Sequence, residues 1–302
     1  MDYHTFHMYS LGNGPKLDPN KLDASYLSPS SLGKCGDGVR ALQRALPESK
    51  RGTLWAGETA AANDGGQTGI TDTFIDGFWY LDQLGQLAAL DVQVFCRQTM
   101  VNSGGYPLAE ITQLSSPPSL SSSLASSPSS SPSSSSYSLT PLPDYYVALI
   151  HKRLMGTTVL DISSSSPNIR AYAHCAAGGT GKGVAGVAGA TGVAGVAGVT
   201  VALLNIDQTK SVSVTFPSAL ADKGWEKYIL SAGDPIKDAK NPLQSRQVKL
   251  NGEVLSLGVG EDGGSPSLPV ITGKAGTGNT LVLPPTTYGF VHFPQADVPA
   301  CS

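Results

Sequence analysis

One segment of the chain combines a strand, an acidic residue, a loop of small residues and a helix in the order typical of a parallel α/β barrel. The run TLW at 53–55 leads to Glu58, and AAANDGG at 60–66 follows. The pattern DTFIDGFWYLDQLG at 72–85 then predicts a helix. In such barrels the reactive groups lie at the carboxyl ends of the strands. Glu58 is therefore a candidate catalytic carboxylate, and the alternative is an ordinary exposed glutamate at a strand end.

The first 112 residues alternate between predicted strands and predicted helices. Strands are expected at about 3–9, 53–57 and 92–98, and helices at about 36–46 and 72–85. A further helix is expected over PDYYVALIHKRLMG, with Pro near its start and Gly after its end. Strands that alternate with helices indicate parallel βα units.

The pattern changes after residue 156 to short runs of alternating apolar and polar residues, such as IRAYAHC, VTVALLNI and YGFVHF. Gly, Pro and Asn-Gly turns separate them, which favours an antiparallel β-sandwich. We therefore divide the chain after residue 156 into an α/β part, 1–156, built of βα units like those of a parallel barrel, and a β-sandwich carboxyl-terminal domain, 157–302.

Two low-complexity segments interrupt these patterns. Residues 115–138 are dominated by Ser and Pro, which cannot bury enough apolar area to offset the entropy of ordering, so we predict a disordered insert. Residues 183–199 are a Val-Ala-Gly tandem. Its period is far below that of solenoid repeats, which indicates an expanded loop between two strands.

The composition excludes several classes of protein. A net charge of −3 over 302 residues gives no sign of a nucleic-acid-binding surface, so no nucleic-acid partner is expected. No apolar run reaches the roughly 18 residues of a transmembrane helix, and the first residues do not have the pattern of a signal peptide. No His, Cys or Asp cluster has metal-ligand spacing, so neither a metal nor a cofactor is predicted.

Several blocks resemble the heparanase family of glycoside hydrolases, family 79, and its plant or green-alga heparanase-like members in particular. They occur in family order and cover most of the chain outside the two inserts. The blocks are WAGETAAANDGG, VFCRQTMVNSGGYPL, PDYYVALIHKRLMGTTVL, IRAYAHC, VKLNG and YGFVHFPQADVPAC. The resemblance implies an α/β plus all-β fold, namely the carboxyl-terminal part of a (β/α)8 TIM barrel followed by an antiparallel β-sandwich.

The family's chemistry is retaining glycoside hydrolysis, in which two carboxyl groups about 5–5.5 Å apart flank the scissile bond. By resemblance, Glu58 is the nucleophile at the end of the seventh barrel strand. Tyr9 matches the tyrosine that donates a hydrogen bond to this carboxylate and orients it, and His7 matches a pocket histidine. The alternative for Tyr9 is a half-buried aromatic residue of a strand.

The resemblance also assigns substrate contacts. Gly65 and Gly66 match a glycine pair whose backbone approaches the sugar carboxylate, which the lack of a side chain permits. Gln98 matches a pocket glutamine at the end of the last barrel strand. Gly104 and Tyr106 match the glycine and tyrosine that hold a uronic acid carboxylate through a backbone N–H and a hydroxyl.

Cysteine positions follow the same pattern. Cys175 and Cys301 match positions that the family joins by a disulfide in the carboxyl-terminal domain. Cys35 and Cys96 match no such positions and are expected to be free thiols, the first in a Gly-rich turn and the second in an apolar strand. The alternative is that all four stay reduced, because the bridge requires an oxidising compartment.

Two features depart from the family pattern. Asp64 places a negative charge next to the glycine pair that would meet an anionic sugar. The family's acid/base glutamate belongs to an Asn-Glu pair, and no Asn-Glu dipeptide occurs in this chain. We therefore expect a fragment that begins near the sixth barrel strand, lacks the acid/base glutamate and is inactive alone.

The function implied is that of a heparanase-like endo-β-glucuronidase that cleaves glucuronic-acid-containing glycans with retention. Its expected partner is an acidic polysaccharide or a proteoglycan-type glycan. By family the expected location is extracellular or within the secretory pathway, at the cell wall, in the vacuole or lysosome, or associated with a membrane. The alternative is a non-catalytic carbohydrate-binding or cell-wall-associated protein derived from the same family.

Overall fold

The amino-terminal strands form a parallel three-stranded sheet in the computed structural model, which describes residues 3–102, 104–114, 136–177, 187–188, 198–259 and 265–301. The helices are α1 Leu22–Tyr26, α2 Pro29–Ala45, α3 Asp76–Ala89, α4 Pro143–Leu154 and α5 Ser218–Ala221, with short 3-10 helices at Gly14–Lys16, Glu48–Thr53 and Pro299–Cys301. The strands are β1 His4–Met8, β2 Leu54–Thr59, β3 Val92–Arg97, β4 Ala109–Leu114, β5 Ser136–Pro141, β6 Met155–Leu160, β7 Ile169–Ala176, β8 Val187–Ala188, β9 Val199–Asn205, β10 Val212–Thr215, β11 Glu226–Ala232, β12 Val248–Leu250, β13 Glu253–Val254, β14 Gly258–Val259, β15 Pro266–Ser267, β16 Ile271–Thr272, β17 Lys274–Ala275, β18 Thr280–Leu283 and β19 Thr287–Phe293.

The parallel sheet has the order β1-β2-β3. Helix α2 lies between β1 and β2 in the chain, and α3 lies between β2 and β3, so the segment is two consecutive βαβ units. Its apolar core lies between the sheet and these helices and contains Cys35, Val39, Leu54, Ala56 and Leu87. The alternation of strands and helices that the sequence predicts is therefore present in this part of the fold.

Two helix boundaries differ from the sequence prediction. Helix α2 begins at Pro29 instead of residue 36, and the side chain of Ser28 caps it by accepting from the N–H of Ser31 at 3.1 Å. Helix α3 covers Asp76–Ala89 instead of 72–85. Cys35 consequently lies inside a helix and not in a turn.

An antiparallel sheet dominates the second half of the chain. Its order is β13-β12-β11-β19-β9-β7-β6, with β17 also paired to β11. Every residue of the central strands β9 and β19 is buried. Side chains of α3 and α4 belong to the apolar cluster on one face of this sheet, and side chains of β10 and β18 pack against the other face.

The layer formed by β10 and β18 has two strands in the described part of the chain. The β-sandwich therefore stays a prediction. So does the division between 1–156 and 157–302, although β6 begins at Met155, close to the expected boundary.

The inserts lie mostly outside the described residues. Of 115–138, only 136–138 are described, and they belong to β5, which pairs with β4 in a hairpin. Of 183–199, residues 187–188 form β8, and 198–199 lead into β9. Among the helices of the described segments, none has both the length and the apolar character needed to cross a membrane.

Candidate active site

Strand β2 contains one residue more than β1 immediately before Glu58. Phe6 pairs with Ala56 and the next residue, His7, pairs with Glu58, so Gly57 has no partner on β1. The ladder with β3 is also irregular after Ala56. One extra residue reverses the side to which the following side chains point, and such bulges often aim a side chain at a functional site. Ala56 packs in the core beneath the helices, whereas Glu58 points to the opposite side together with His7.

Glu58 and Tyr9 are hydrogen-bonded at the carboxyl edge of the parallel sheet. Tyr9 immediately follows β1, and its hydroxyl donates to Oε1 of Glu58. Nδ1 of His7 lies 3.7 Å from Oε2 of Glu58, and the two side chains are 61% and 35% exposed. Burial, the hydrogen bond to Glu58 and the charge of that carboxylate raise the pKa of Tyr9. Tyr9 therefore stays protonated at neutral pH, and its hydroxyl donates a hydrogen bond to Glu58.

Two glycine-containing loops that follow β2 and β3 lie against each other next to this pair. The N–H of Gly105 donates to the carbonyl of Gly65 at 2.5 Å. Gly65, Gly66 and Gly104 have φ angles of 83°, 65° and 62°, which other residues rarely adopt. A Cβ on Gly66 would overlap the ring of Tyr106.

The end of β3 brings Gln98 to the same edge. Its N–H donates to the carbonyl of Thr59 at 2.8 Å, which places it next to the end of β2. Behind it, Nη2 of Arg97 donates to the carbonyl of Tyr106 at 3.2 Å and to Oδ2 of Asp144 at 2.6 Å. The structure thus brings the expected nucleophile, its tyrosine, the histidine, the glycines, the glutamine and Tyr106 to one edge of the sheet.

Comparisons with known proteins find chains similar to this one in sequence and in fold. Residues 1–85 match the family described as glycosyl hydrolase family 79, N-terminal domain. A baicalin-β-D-glucuronidase of Scutellaria baicalensis is 33% identical over 294 residues, which are 96% of this chain and 45% of the relative. Heparanase-like protein 1 of Arabidopsis thaliana is 32% identical over 316 residues, which are 100% of this chain and 51% of the relative. The chain is therefore related to glycoside hydrolase family 79.

The chain spans about half the length of the curated relatives it matches. Solved structures with a similar fold include the GH51 α-L-arabinofuranosidase of Thermotoga petrophila, with a TM-score of 0.56 and 14% identity over 97% of this chain and 52% of that one. A 4-O-α-L-rhamnosyl-β-D-glucuronidase of Fusarium oxysporum has a TM-score of 0.52 and 16% identity over 96% and 53% of the two chains. At such identities the likeness concerns the fold alone, and it is consistent with part of a glycosidase TIM barrel.

Asp64 adds a charged side chain to the glycine loop that follows β2. The residue is exposed, has a φ angle of 54° and accepts a hydrogen bond from Nδ2 of Asn13. It directly precedes Gly65 and Gly66, so a negative charge lies next to the backbone that would approach a sugar carboxylate. This charge opposes binding of an anionic sugar unless the neighbouring donors outweigh it.

Cys175 and Cys301 form a disulfide in the structure, with Cα atoms 5.4 Å apart and a sequence separation of 126. The bridge joins the end of β7 to the last turn of the described chain. Cys35 is a buried free thiol in α2, and Cys96 is an exposed free thiol in β3. Burial raises the pKa of Cys35 to about 12, so this thiol is unreactive at neutral pH.

The sequence analysis did not identify two buried polar residues next to the site, Thr59 and Gln83. Nε2 of Gln83, in α3, donates to Oγ1 of Thr59 at 2.9 Å. In sequence they are an ordinary strand threonine and a helix glutamine, and the only signal is that polar side chains occupy positions expected to face the core. Within the described segments, no three His, Cys, Asp or Glu side chains are grouped so as to hold a metal ion.

Proposed function

We propose that this chain is the part of a retaining β-glucuronidase that carries the nucleophile, Glu58. The hydrogen bond from Tyr9 to Glu58 at the carboxyl edge of the parallel sheet carries the proposal. In retaining hydrolysis the nucleophile attacks the anomeric carbon, the bond to the leaving oxygen breaks, and water later releases the sugar. A second carboxyl group first donates a proton to the leaving oxygen and then accepts one from the water. Tyr9 would hold the attacking carboxylate in one orientation throughout.

The proposed substrate is a glycan that contains β-linked glucuronic acid. Gly65, Gly66, Gly104, Tyr106 and Gln98 lie at the same edge and offer backbone and side-chain donors to a uronate. Several neutral donors can hold a carboxylate when they converge on it. The name of the relative baicalin-β-D-glucuronidase supports a β-D-glucuronide, and the heparanase-like relatives support an endo-acting enzyme on an acidic polysaccharide or proteoglycan-type glycan.

The proposal includes an oxidising location. The disulfide between Cys175 and Cys301 supports passage through the secretory pathway, because such bonds are rare in the cytosol. It also includes the division into a partial barrel, 1–156, and a β-sandwich, 157–302. The two-layered packing around β9 and β19 supports that division.

Covalent labelling tests the nucleophile without requiring the acid/base residue. An activated 2-fluoro-glucuronide with a dinitrophenolate leaving group needs no protonation of that group, and the fluorine slows release of the sugar. We expect mass spectrometry of a peptide digest to find the sugar on Glu58. Tyr9→Phe should slow labelling, because the carboxylate loses its orienting donor, and Glu58→Gln should abolish it. Arg40→Met is the control, because Arg40 pairs with Asp37 on the exposed surface at 2.8 Å, and it should be labelled at the wild-type rate.

Each result decides between the candidate functions. Labelling of another residue would contradict the assignment of Glu58. Absence of label together with saturable binding of glucuronic-acid oligosaccharides would favour a non-catalytic carbohydrate-binding protein of the same family. Absence of both would contradict the proposed function altogether.

A further inference from the structure

Thr59 bonds to both strands that flank it at the edge where the candidate site lies. Its side chain is fully buried. Oγ1 donates to the carbonyl of Met8 at 2.7 Å and accepts from Nε2 of Gln83 at 2.9 Å. Its own carbonyl accepts the N–H of Gln98 at 2.8 Å. Thr59 of β2 is therefore hydrogen-bonded to the ends of β1 and β3 and to a side chain of α3.

Each of these bonds lies next to a residue of the candidate site. Thr59 directly follows Glu58, Met8 directly precedes Tyr9, and Gln98 is itself a site residue. The bulge at Gly57 interrupts the regular ladder between β1 and β2 just before this point. The hydroxyl of Thr59 thus supplies a bond between the two strands where their backbone register changes.

Helix α3 also fixes the other neighbour of Tyr9. Nε1 of Trp79 donates to Oγ of Ser10 at 2.9 Å. Ser10 is therefore hydrogen-bonded directly to Trp79 of α3. Met8 is linked to α3 indirectly, because Thr59 bonds both to its carbonyl and to Gln83. Tyr9 lies between these two attachments, so its backbone has little freedom to move along or away from β2.

We infer that Thr59 is a positioning residue whose hydroxyl, by holding the carbonyl of Met8, keeps the phenol of Tyr9 against the carboxylate of Glu58. Thr59 lies on the α3 side of the sheet with Gln83, so it does not contact a sugar. The inference rests on the proposed roles of Glu58 and Tyr9. A catalytic group must be held to within about 0.5 Å of its productive position, and a buried hydrogen bond of this kind meets that requirement.

The test is a spectroscopic measurement of the bond between Tyr9 and Glu58 in the chain as it stands. The Cζ carbon of tyrosine shifts when the phenol donates to a carboxylate, and carbon-13 tyrosine labelling makes it observable by NMR. Tyr9→Phe identifies the resonance, and Glu58→Ala gives its position without the partner. We expect Thr59→Val, which preserves side-chain shape and removes the hydroxyl, to move the resonance most of the way to the Glu58→Ala position. Thr59→Ser, which keeps the hydroxyl, should leave it near the wild-type position.

A matched threonine controls for loss of stability. Thr200 is also fully buried, and its Oγ1 donates to the carbonyl of Leu154 at 2.8 Å and contacts a ring nitrogen of His292 at 3.0 Å. Thr200→Val should therefore weaken the fold to a similar extent but leave the Tyr9 resonance unchanged. The same Cζ chemical shift of Tyr9 in Thr59→Val and Thr200→Val would overturn the inference.

Two further outcomes remain decisive. If Thr59→Val does not fold, Gln83→Met, which removes the donor to Thr59, should produce a smaller shift in the same direction, and no shift would contradict the inference. The measurement requires no turnover. Failure of covalent labelling at Glu58 would therefore count against the proposed function, whereas an unmoved Tyr9 resonance would count against the role of Thr59.

Discussion

Arg97 and Asp144 form an ion pair of 2.6 Å in the interior, with only 5% and 4% of the two side chains exposed. A second carboxyl group, that of Asp76, lies 3.6 Å from the same guanidinium and is fully buried. Burial and the charge of Asp144 raise the pKa of Asp76 well above its ordinary value. We therefore expect Asp76 to be protonated at neutral pH while Asp144 balances the charge of Arg97.

Substitutions of Asp76 and Arg97 should change the free energy of unfolding by very different amounts. Asp76→Asn preserves the neutral form and should change the free energy of unfolding by less than about 1 kcal/mol at about pH 4, where the unfolded chain also holds this proton. Arg97→Met leaves an uncompensated buried carboxylate and should cost about 3–5 kcal/mol. Arg40→Met is the matched control, because Arg40 pairs with Asp37 at 2.8 Å on the exposed surface and its loss should cost no more than about 1 kcal/mol.

The pH dependence of these variants has a defined sign. The unfolded chain releases the proton of Asp76 near pH 4, whereas the folded protein retains it to higher pH. Wild-type stability therefore falls relative to Asp76→Asn as the pH rises above about 4. Urea unfolding from pH 4 to 8 measures the difference, and a constant difference would mean that Asp76 titrates normally in the folded protein.

Two buried histidines, His174 and His292, and the half-buried His151 should make the protein sensitive to acid. Burial lowers the pKa values of His151 and His292 from 6.5 to about 4, and it also lowers that of His174. The unfolded chain takes up these protons below about pH 6.5, but the folded protein resists them until about pH 4. Stability is therefore complete above pH 6.5 and is lost as the pH falls through this interval.

We expect each fully neutral histidine to contribute about 1–3 kcal/mol to this loss between pH 7 and 4. His151→Leu removes one ionisable ring and should make the pH profile of the unfolding free energy less steep. His7→Gln is the control, because the side chain of His7 is mostly exposed. A profile in which both variants retain the wild-type slope would contradict the assignment of acid sensitivity to the buried rings.

The sequence predicts the parallel βα alternation because apolar periodicity and strand-end position are local signals. It places the start of α2 too late because the preceding residues include Ser and Gly33, which have low helix propensity, and Gly36 and Gly38 weaken the helical pattern further on. The packing explains their presence in a helix. The amide of Gln86 bonds to the N–H of Gly36 and the carbonyl of Leu32, both at 2.9 Å, so α3 approaches α2 closely at Gly36. Tertiary contact outweighs propensity at this point.

The finer geometry of the site also depends on contacts distant in sequence. Glu58 can be singled out as the acid at a strand end, but the bulge at Gly57 that turns it away from the core requires the register of the neighbouring strand. The role of Arg97 depends on Asp144 and on the carbonyl of Tyr106, which only the folded chain brings together. No local pattern contains that information.

The disulfide should contribute strongly to stability because the loop that it closes is long. With a sequence separation of 126 between Cys175 and Cys301, the chain-entropy model gives about 4–5 kcal/mol. We expect the double variant Cys175→Ala/Cys301→Ala to lose stability by this order in urea unfolding. Cys96→Ser, at an exposed free thiol, is the control and should show little change. Equal stability of the double variant and wild type would show that the bridge constrains the unfolded chain far less than the model assumes.

Substitution by Ala should change the free energy of unfolding in opposite directions at Gly33 of α2 and at Gly85 of α3. Gly33 in α2 has open space around the position of a Cβ, so Gly33→Ala should raise the free energy of unfolding by about 0.5–1 kcal/mol through helix propensity. Gly85 in α3 lies against the ring of Tyr172 from the antiparallel sheet, and a Cβ there would overlap that ring. Gly85→Ala should instead lower the free energy of unfolding by about 1–3 kcal/mol, as overpacking outweighs propensity.

The pair of variants tests whether α3 is fixed against the antiparallel sheet. Tyr172→Ala removes the overlapping ring, so Gly85→Ala should cost much less in that background than in the wild type, and a double-mutant cycle measures the coupling. The same cycle with Gly33→Ala should show additive effects because Gly33 has no atom within 4 Å of its Cβ position. Additivity of Gly85→Ala and Tyr172→Ala would mean that the helix moves away from the sheet at little cost.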